Sequence, residues 1–297
     1  MNRRPVIYFH ADDYGMTPPS NARIEDCWKE GLVNSVSIMP NGNLAEAIPH
    51  LSGQGLRLAV HLNLVEGKAL SPAGQTDLLT GPDGSFRHSF GGLLKLSLSP
   101  QRKRFREQVY QELRLQLLAV AAALPPGEQL CVDSHQHTHM IPLIFHTLLQ
   151  VITDCRLPIG AIRIPAEPIS PFLCCPSLYR TYSPLNLVKQ LVLKGLYLFD
   201  RPAHRRSGIP ASLFCGILFS GRMDRARVEK VLPRFYRLAC RKDRDLELLF
   251  HPGGIDPGQP FFDPGKTSFH PFYLSQGRQE EYLALHTLHF TPQDQGR

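Results

Sequence analysis

Two adjacent carboxylates, Asp12 and Asp13, close the apolar run of IYFHADDYGM, residues 7–16. Aspartate is disfavoured in strands and neighbouring negative charges repel, so an offsetting interaction is expected. Histidines recur near the ends of other apolar runs. His61 lies in LRLAVHLNLVEG, Asp133, His135, His137 and His139 in VDSHQHTHM, and His251 in LELLFHPGG. Carboxylate and imidazole together are ligands for a divalent cation. One carboxylate and two imidazoles leave positions open for water and substrate, which a catalytic ion requires. The other aspartate would then take a proton from water, and His251 would act as a general acid from the opposite side. Such a set suits hydrolysis of an amide or ester.

Each residue alone has a plainer reading. A single histidine in an apolar strand is more often a satisfied core residue. HQHTH also reads as a strand end with period-2 histidines or as a solvated loop, and Asp12-Asp13 as a capping region near Thr17. Acids and histidines arriving together from separate segments favour a metal site.

The elements that must position them are short. Strands are predicted over Val6–Phe9, Ser35–Met39, Leu58–Leu64, Leu130–Ser134, Ala161–Ile164, Gly216–Phe219 and Leu246–Phe250. They are rich in Val, Ile and Leu and read as buried parallel strands. A first helix opens at Pro18-Pro19, carries the stripe Ile24, Cys27 and Trp28, and closes at Gly31. A second opens at Ser99-Pro100 and runs through Phe105, Val109, Leu113 and Leu117. A third covers Ala226–Lys242, where Pro233 must kink or interrupt it. The alternation predicts an α/β fold with a parallel sheet, open or closed, and about seven parallel strands suit an irregular (β/α) barrel. In such folds the C-terminal ends of strands converge on one face. One domain over 1–297 is expected, with Ala69–Phe90 and Pro165–Pro184 as long loops and a frayed tail after His289.

ADDYG, VHLNLVEG, DSHQHTHM, IRIPAEP and LLFHPGG stand in the order and near the spacing of one known family. Over about residues 5–255 the chain resembles the YdjC-like carbohydrate deacetylases, the ChbG/HpnK group. GLVNSVSIMPNG resembles the segment after that family's first helix. The resemblance implies a (β/α) barrel related to NodB-type deacetylases, one divalent metal ion, and removal of acetyl from an N-acetylated sugar. By it, Asp13, His61 and His135 are metal ligands, Asp12 the general base and His251 the acid for the leaving amine. Arg163 of IRIPAEP resembles the arginine that orients the base. His137, His139 and Asn63 are expected as contacts to the ligands or to substrate. Magnesium is the family's usual ion, while the donor set also suits zinc or another transition metal.

Composition narrows the partners. Lys and Arg outnumber Asp and Glu by 33 to 26, with the excess in RKRFR, RPAHRR and the segment 222–244. These patches lack interleaved aromatics, so solvated helix faces are expected and nucleic acid is not. Seven cysteines without CxxC spacing predict reduced thiols and a cytoplasmic setting. The opening MNRRPVIYFH has too short an apolar run for a secretory signal, and no run is long enough to span a membrane. LNLVKQLVLKGLYLFDRPAHRR joins apolar residues to a basic cluster. A core or homodimer-interface helix is favoured there over a membrane-surface helix. The weighed alternatives in function are a metal-dependent phosphoesterase or amidohydrolase, a non-haem iron oxygenase, and a carbohydrate- or lipid-binding barrel without activity.

Overall fold

Seven parallel strands form one sheet in the order β5-β4-β3-β2-β1-β7-β6. They are β1 Ile7–Tyr14, β2 Ser35–Ile38, β3 Arg57–Leu62, β4 Leu130–Ser134, β5 Ile159–Ile162, β6 Leu213–Cys215 and β7 Leu246–Phe250. The computed structural model describes residues 3–51, 53–125 and 127–290; the tail residues 291–297 lie outside these. The sheet curls into a partial barrel whose open seam lies between β5 and β6, crossed by a hydrogen bond from Ile162 N–H to the Pro210 carbonyl at 2.9 Å.

Helices cover the outside: α1 Pro18–Lys29, α2 Leu44–Leu51, α3 Phe90–Ser97, α4 Arg102–Ala123, α5 Pro142–Asp154, α6 Ser170–Leu173, α7 Pro184–Ser207, α8 Arg225–Lys242, α9 His270–Tyr273 and α10 Gln276–Thr287. Thr17 caps α1, accepting from Ser20 N–H, and Pro18 sits where its missing donor costs nothing.

Apolar side chains of the strands pack against these helices, while the inward side is polar. Along β1, Phe9 and Ala11 belong to the apolar core, whereas His10 and Asp12 are buried among polar groups. Ser35, Ser37, His61, Asp133 and Glu247 from four neighbouring strands are buried polar residues as well. The barrel interior is therefore a charged network, balanced by Arg163 and Arg57 on either side of Glu247, at 2.5 and 2.8 Å.

Several boundaries differ from expectation. The sixth strand is Leu213–Cys215, not Gly216–Phe219. The buried Glu167 carboxylate takes the N–H groups of Gly216 (2.6 Å) and Leu218 (3.0 Å), so these donors leave the ladder and the chain turns. α4 starts at Arg102 because Ser99 closes a turn of its own, its carbonyl accepting from Arg102 N–H at 3.0 Å. α8 continues through Pro233, since Val228, Val231 and Phe235 are fully buried and packing outweighs one lost hydrogen bond. Pro165–Pro184 is not plain loop: it holds α6 and a 3-10 turn, Pro176–Thr181.

α7 contradicts its expected core placement. Its buried face mixes Asn186, Gln190 and Asp200 with Leu193 and Ala203, while Leu185, Val188, Leu191, Val192, Leu198 and Phe199 face outward. The reason lies in the loops beneath it. Asn186 Nδ2 donates to the carbonyls of Leu218 and Ser220, and Gln190 Nε2 to that of Glu167. No helix among the described residues is long and apolar enough to cross a membrane.

Candidate active site

The end of β1, which carries the acid pair, is not a regular strand. Its register with β2 runs His10–Ser35 and Ala11–Val36, then jumps to Tyr14–Ile38. Asp13 absorbs the irregularity with φ 75°, a left-handed backbone that costs a non-glycine residue on the order of 1–3 kcal/mol. The bulge brings neighbours that would diverge to one place. Asp12 Oδ2 lies 3.8 Å and Asp13 Oδ1 3.6 Å from His61 Nε2.

Asp13 Oδ1 is buried and has no hydrogen-bond partner among the described residues. His135 Nδ1 lies 3.2 Å from it. The far nitrogen of each imidazole meets a carboxylate: His61 Nδ1 is 2.7 Å from Asp133 Oδ1, and His135 Nε2 is 3.1 Å from Glu66 Oε2. A ring that donates there keeps its other lone pair for a cation. Asp13, His61 and His135 offer ligand atoms within 4.8 Å of one another, so the unpartnered oxygen and two oriented imidazoles fit a metal ion. His10, Asp12 and Asp133 form a second donor group, but a cation already serves it. Arg163 Nη1 and Nη2 grip the two Asp12 oxygens at 3.0 and 2.9 Å, and Nη2 is 2.8 Å from Asp133 Oδ2.

The electrostatics point the same way. Burial disfavours charge on Asp12 and Asp13, yet Arg163 and Arg278 respectively outweigh it and hold both carboxyls well below their usual range. Burial also opposes imidazolium, but Asp12 and Asp133 push His61 up to about 10. The neighbouring Asp13 and Glu66 carboxylates push His135 up to about 9. A divalent ion bound by these imidazoles would take the place of their protons.

His251 follows β7. Its Nε2 is 3.9 Å from Asp12 Oδ2, and its Nδ1 is 3.5 Å from Glu281 Oε2. Glu281 also accepts the backbone N–H groups of His251 at 2.5 Å and Met223 at 3.2 Å. One turn earlier on α10, Arg278 donates to Asp13 Oδ2 at 2.7 Å and to the Gly253 carbonyl at 2.9 Å. Two glycines permit this docking. A Cβ on Gly253 would lie 2.1 Å from Ser20 Oγ, and one on Gly277 would lie 2.0 Å from the Gly221 carbonyl oxygen.

HQHTH is neither a period-2 strand end nor a solvated loop. His135–Met140 is a 3-10 turn in which Gln136 and His137 both take positive φ, 53° and 56°. The turn sends its histidines apart. His139 is fully buried, with Nδ1 2.5 Å from Ser134 Oγ and Nε2 2.8 Å from the Arg163 carbonyl. Burial pushes it down to about 4, so it is a neutral strut between β4 and the segment carrying Arg163. His137 packs edge-on against Phe214, its Nδ1 has no partner, and burial and Arg163 hold it well below its usual value. Asn63 spends its side chain on the loop: Oδ1 accepts from Val65 and Glu66 N–H, and Nδ2 donates to the Glu66 carbonyl and Asn41. It shapes the turn that presents Glu66, and its side chain has no atom to spare for substrate.

The site's rim is aromatic. Phe269 stands edge-on to His135 and Phe272 edge-on to His251, with ring centroids 6.4 and 5.5 Å apart. Tyr273 donates to Glu66 Oε2 at 2.6 Å. This rim, with Arg278 and Glu281, comes from residues beyond 255, past the last of the five motifs.

Comparisons with known proteins bear on family and fold. A family model described as YdjC-like protein matches residues 6–291. A Mus musculus carbohydrate deacetylase is 31% identical over 161 residues, 53% of this chain and 49% of that protein. A Brevibacillus brevis carbohydrate deacetylase is 32% identical over 159 residues, covering 52% and 58%. A Serratia marcescens chitooligosaccharide deacetylase is 28% identical over 149 residues, covering 47% and 53%. The matched part of the chain spans about half the length of these curated relatives. An Enterococcus faecalis crystal structure, of a protein assigned to cellobiose-phosphate cleavage, shares the fold with a TM-score of 0.59. It is 18% identical and covers 98% of this chain and 99% of that one. With the family model matched over residues 6–291, from β1 to past α10, the chain belongs to the YdjC-like family.

Proposed function

We propose that this protein is a metal-dependent hydrolase that removes acetyl from an N-acetylated sugar. The substrate class is an oligosaccharide or glycolipid containing N-acetylglucosamine. The carrying observation is the unpartnered Asp13 Oδ1 between two imidazoles whose far nitrogens are held by Asp133 and Glu66. The deacetylase names of the relatives support the same reading. Asp13, His61 and His135 would hold one divalent ion, which supplies polarisation of an acyl carbonyl and a lowered pKa for water. Histidine and carboxylate donors suit zinc and other transition metals, and magnesium is carried by the family resemblance.

The protein's own groups do the rest. Asp12, kept ionised and fixed in orientation by the Arg163 fork, receives the proton of the attacking water. His251, 3.9 Å from Asp12 Oδ2, protonates the departing nitrogen, because an amide anion is too basic to leave unaided. Glu281 holds the backbone of His251 and faces its Nδ1. A two-metal phosphoesterase is less favoured because Arg163 fills the charge position of the second donor group. All seven cysteines are free thiols, and a reducing, cytoplasmic compartment is the proposed setting.

The test is acetate release from N-acetylglucosamine oligomers and from lipid-linked N-acetylglucosamine, before and after chelation and after reloading with zinc or magnesium. Chelator-sensitive release from one class supports the proposal. No release from either class by reloaded protein discards it.

A further inference from the structure

α7 presents an apolar stripe to solvent. Leu185, Val188, Leu191, Val192, Leu198 and Phe199 are all exposed, Leu191 by 61%, Leu198 by 66% and Phe199 by 72%. At 100° per residue these six fall on one face, and the stripe is roughly 20 Å long. An amphipathic helix of a water-facing protein normally buries that face. Here the opposite face is the buried one, anchored through Asn186 and Gln190. The outward orientation is therefore fixed by hydrogen bonds and by the buried Leu193 and Ala203, not left over from loose packing.

Charge identifies the occupant. Lys189 borders the stripe on one side, Lys194 and Arg201 on the other, and Arg205 and Arg206 crowd its C-terminal end; all five are exposed. None has an ion-pair partner among the described residues. The helix's one acid, Asp200, is buried beneath it. A second copy of the same face would bring five more cations and no carboxylate to answer them. A bilayer surface with anionic headgroups meets both demands: acyl chains receive the leucines and Phe199, while lysines and arginines reach past them to phosphates. The helix falls short of a membrane span, so it lies in the interface plane. Its first turns are tied through Asn186 to the loop that follows β6, on the side of the sheet where the site is built.

We propose that the outward face of α7 is an interfacial docking surface for an anionic phospholipid membrane. This stands apart from the reaction assigned to the site, and its test does not read activity. The full chain is mixed with vesicles of pure phosphatidylcholine and with vesicles containing phosphatidylglycerol, then floated on a density gradient at low and high salt. The expected result is flotation with the anionic vesicles only, weakened by salt. Leu191→Glu combined with Phe199→Glu should lower the bound fraction by roughly ten-fold or more, with the unfolding transition and circular dichroism unchanged. Lys194→Glu with Arg201→Glu should weaken binding to anionic vesicles in the same way. Absence of flotation with anionic vesicles at low salt overturns the proposal. So does light scattering that shows a dimer without vesicle binding, broken by Leu191→Glu and Phe199→Glu, since a second copy would then own the face.

Discussion

Arg278 Nη2 lies 2.7 Å from Asp13 Oδ2, so one oxygen of this carboxylate is paired with a buried guanidinium while the other has no partner. The pairing leaves Asp13 charged in a site from which water is largely excluded. It also keeps its free oxygen turned toward His61 and His135.

Removing that guanidinium therefore exposes an uncompensated buried charge. Arg278→Met should destabilise the metal-free protein by about 3–5 kcal/mol, the usual cost of breaking a buried pair from one side. Bound metal would compensate Asp13 in part, so the loss should shrink when the protein is loaded. Urea unfolding with chelator and with zinc measures both. Equal losses in the two conditions would show that Arg278 acts only on packing.

The adjacent aspartates should separate cleanly by readout. Asp12→Asn should lower kcat for deacetylation by roughly 100- to 10,000-fold while the protein retains its metal. Asp13→Asn, His61→Ala and His135→Ala should each lose metal, as measured by elemental analysis after dialysis. Substantial activity in Asp12→Asn would remove it from the role of base.

Glu66 would touch a bound ion only through His135, whose Nε2 lies 3.1 Å from its Oε2. Glu66→Gln should weaken metal binding by about 10- to 100-fold, the usual effect of an outer carboxylate on a ligating histidine. Activity should return at higher metal concentration. Calorimetric titration gives the affinity, and unchanged affinity would leave Glu66 as a mere anchor for Tyr273.

Asp200 carries a pH dependence of known sign. Burial pushes its carboxyl up to about 7, and neither of its oxygens has a hydrogen-bond partner. The unfolded chain releases this proton near the ordinary value of 3.8. The stability tied to it is thus present below about pH 4 and lost as pH rises through about 7. Asp200→Asn should be more stable than the parent by about 1–2 kcal/mol at pH 8, after discounting for solvent screening. At pH 5 the gain should be small. Urea unfolding at both pH values decides, and equal stability at pH 8 would mean that His146, 3.6 Å away, already answers the charge.

The acids and histidines at strand ends were legible because parallel strands bring their C-terminal ends together whatever the loops do. Asp12, Asp13, His61, His135 and His251 needed only that rule to be placed on one face. Residues outside the strands and their ends were not legible. Glu66 follows a turn built by Asn63, and Arg278 and Glu281 look like ordinary surface charges in QGRQEE until α10 docks. His10 and Glu247 could have been found: Tyr8, His10 and Asp12 alternate with Ile7, Phe9 and Ala11, a period-2 signal hidden by the overall apolarity of the run. The sixth strand was misplaced by three residues because Glu167, far away in sequence, competes for the backbone donors of Gly216 and Leu218. The core half of the reading of α7, as a core or dimer-interface helix, fails for its exposed stripe because Asn186 and Gln190 turn inward to bind loop carbonyls.

α10 also sets a schedule for synthesis. Arg278 is made 265 residues after Asp13, and Glu281 follows the His251 backbone it clasps by 30. A growing chain can pair its strands and gather Asp12, Asp13, Asp133 and Glu247 well before α10 emerges. Throughout that interval Asp13 lacks its guanidinium, and the nascent barrel carries mutually repelling carboxylates that only Arg57, Arg163, protons or metal can quiet. α10 is thus a late-made latch on this charged end of the barrel, and a divalent ion bound during translation would shorten the life of the unlatched form.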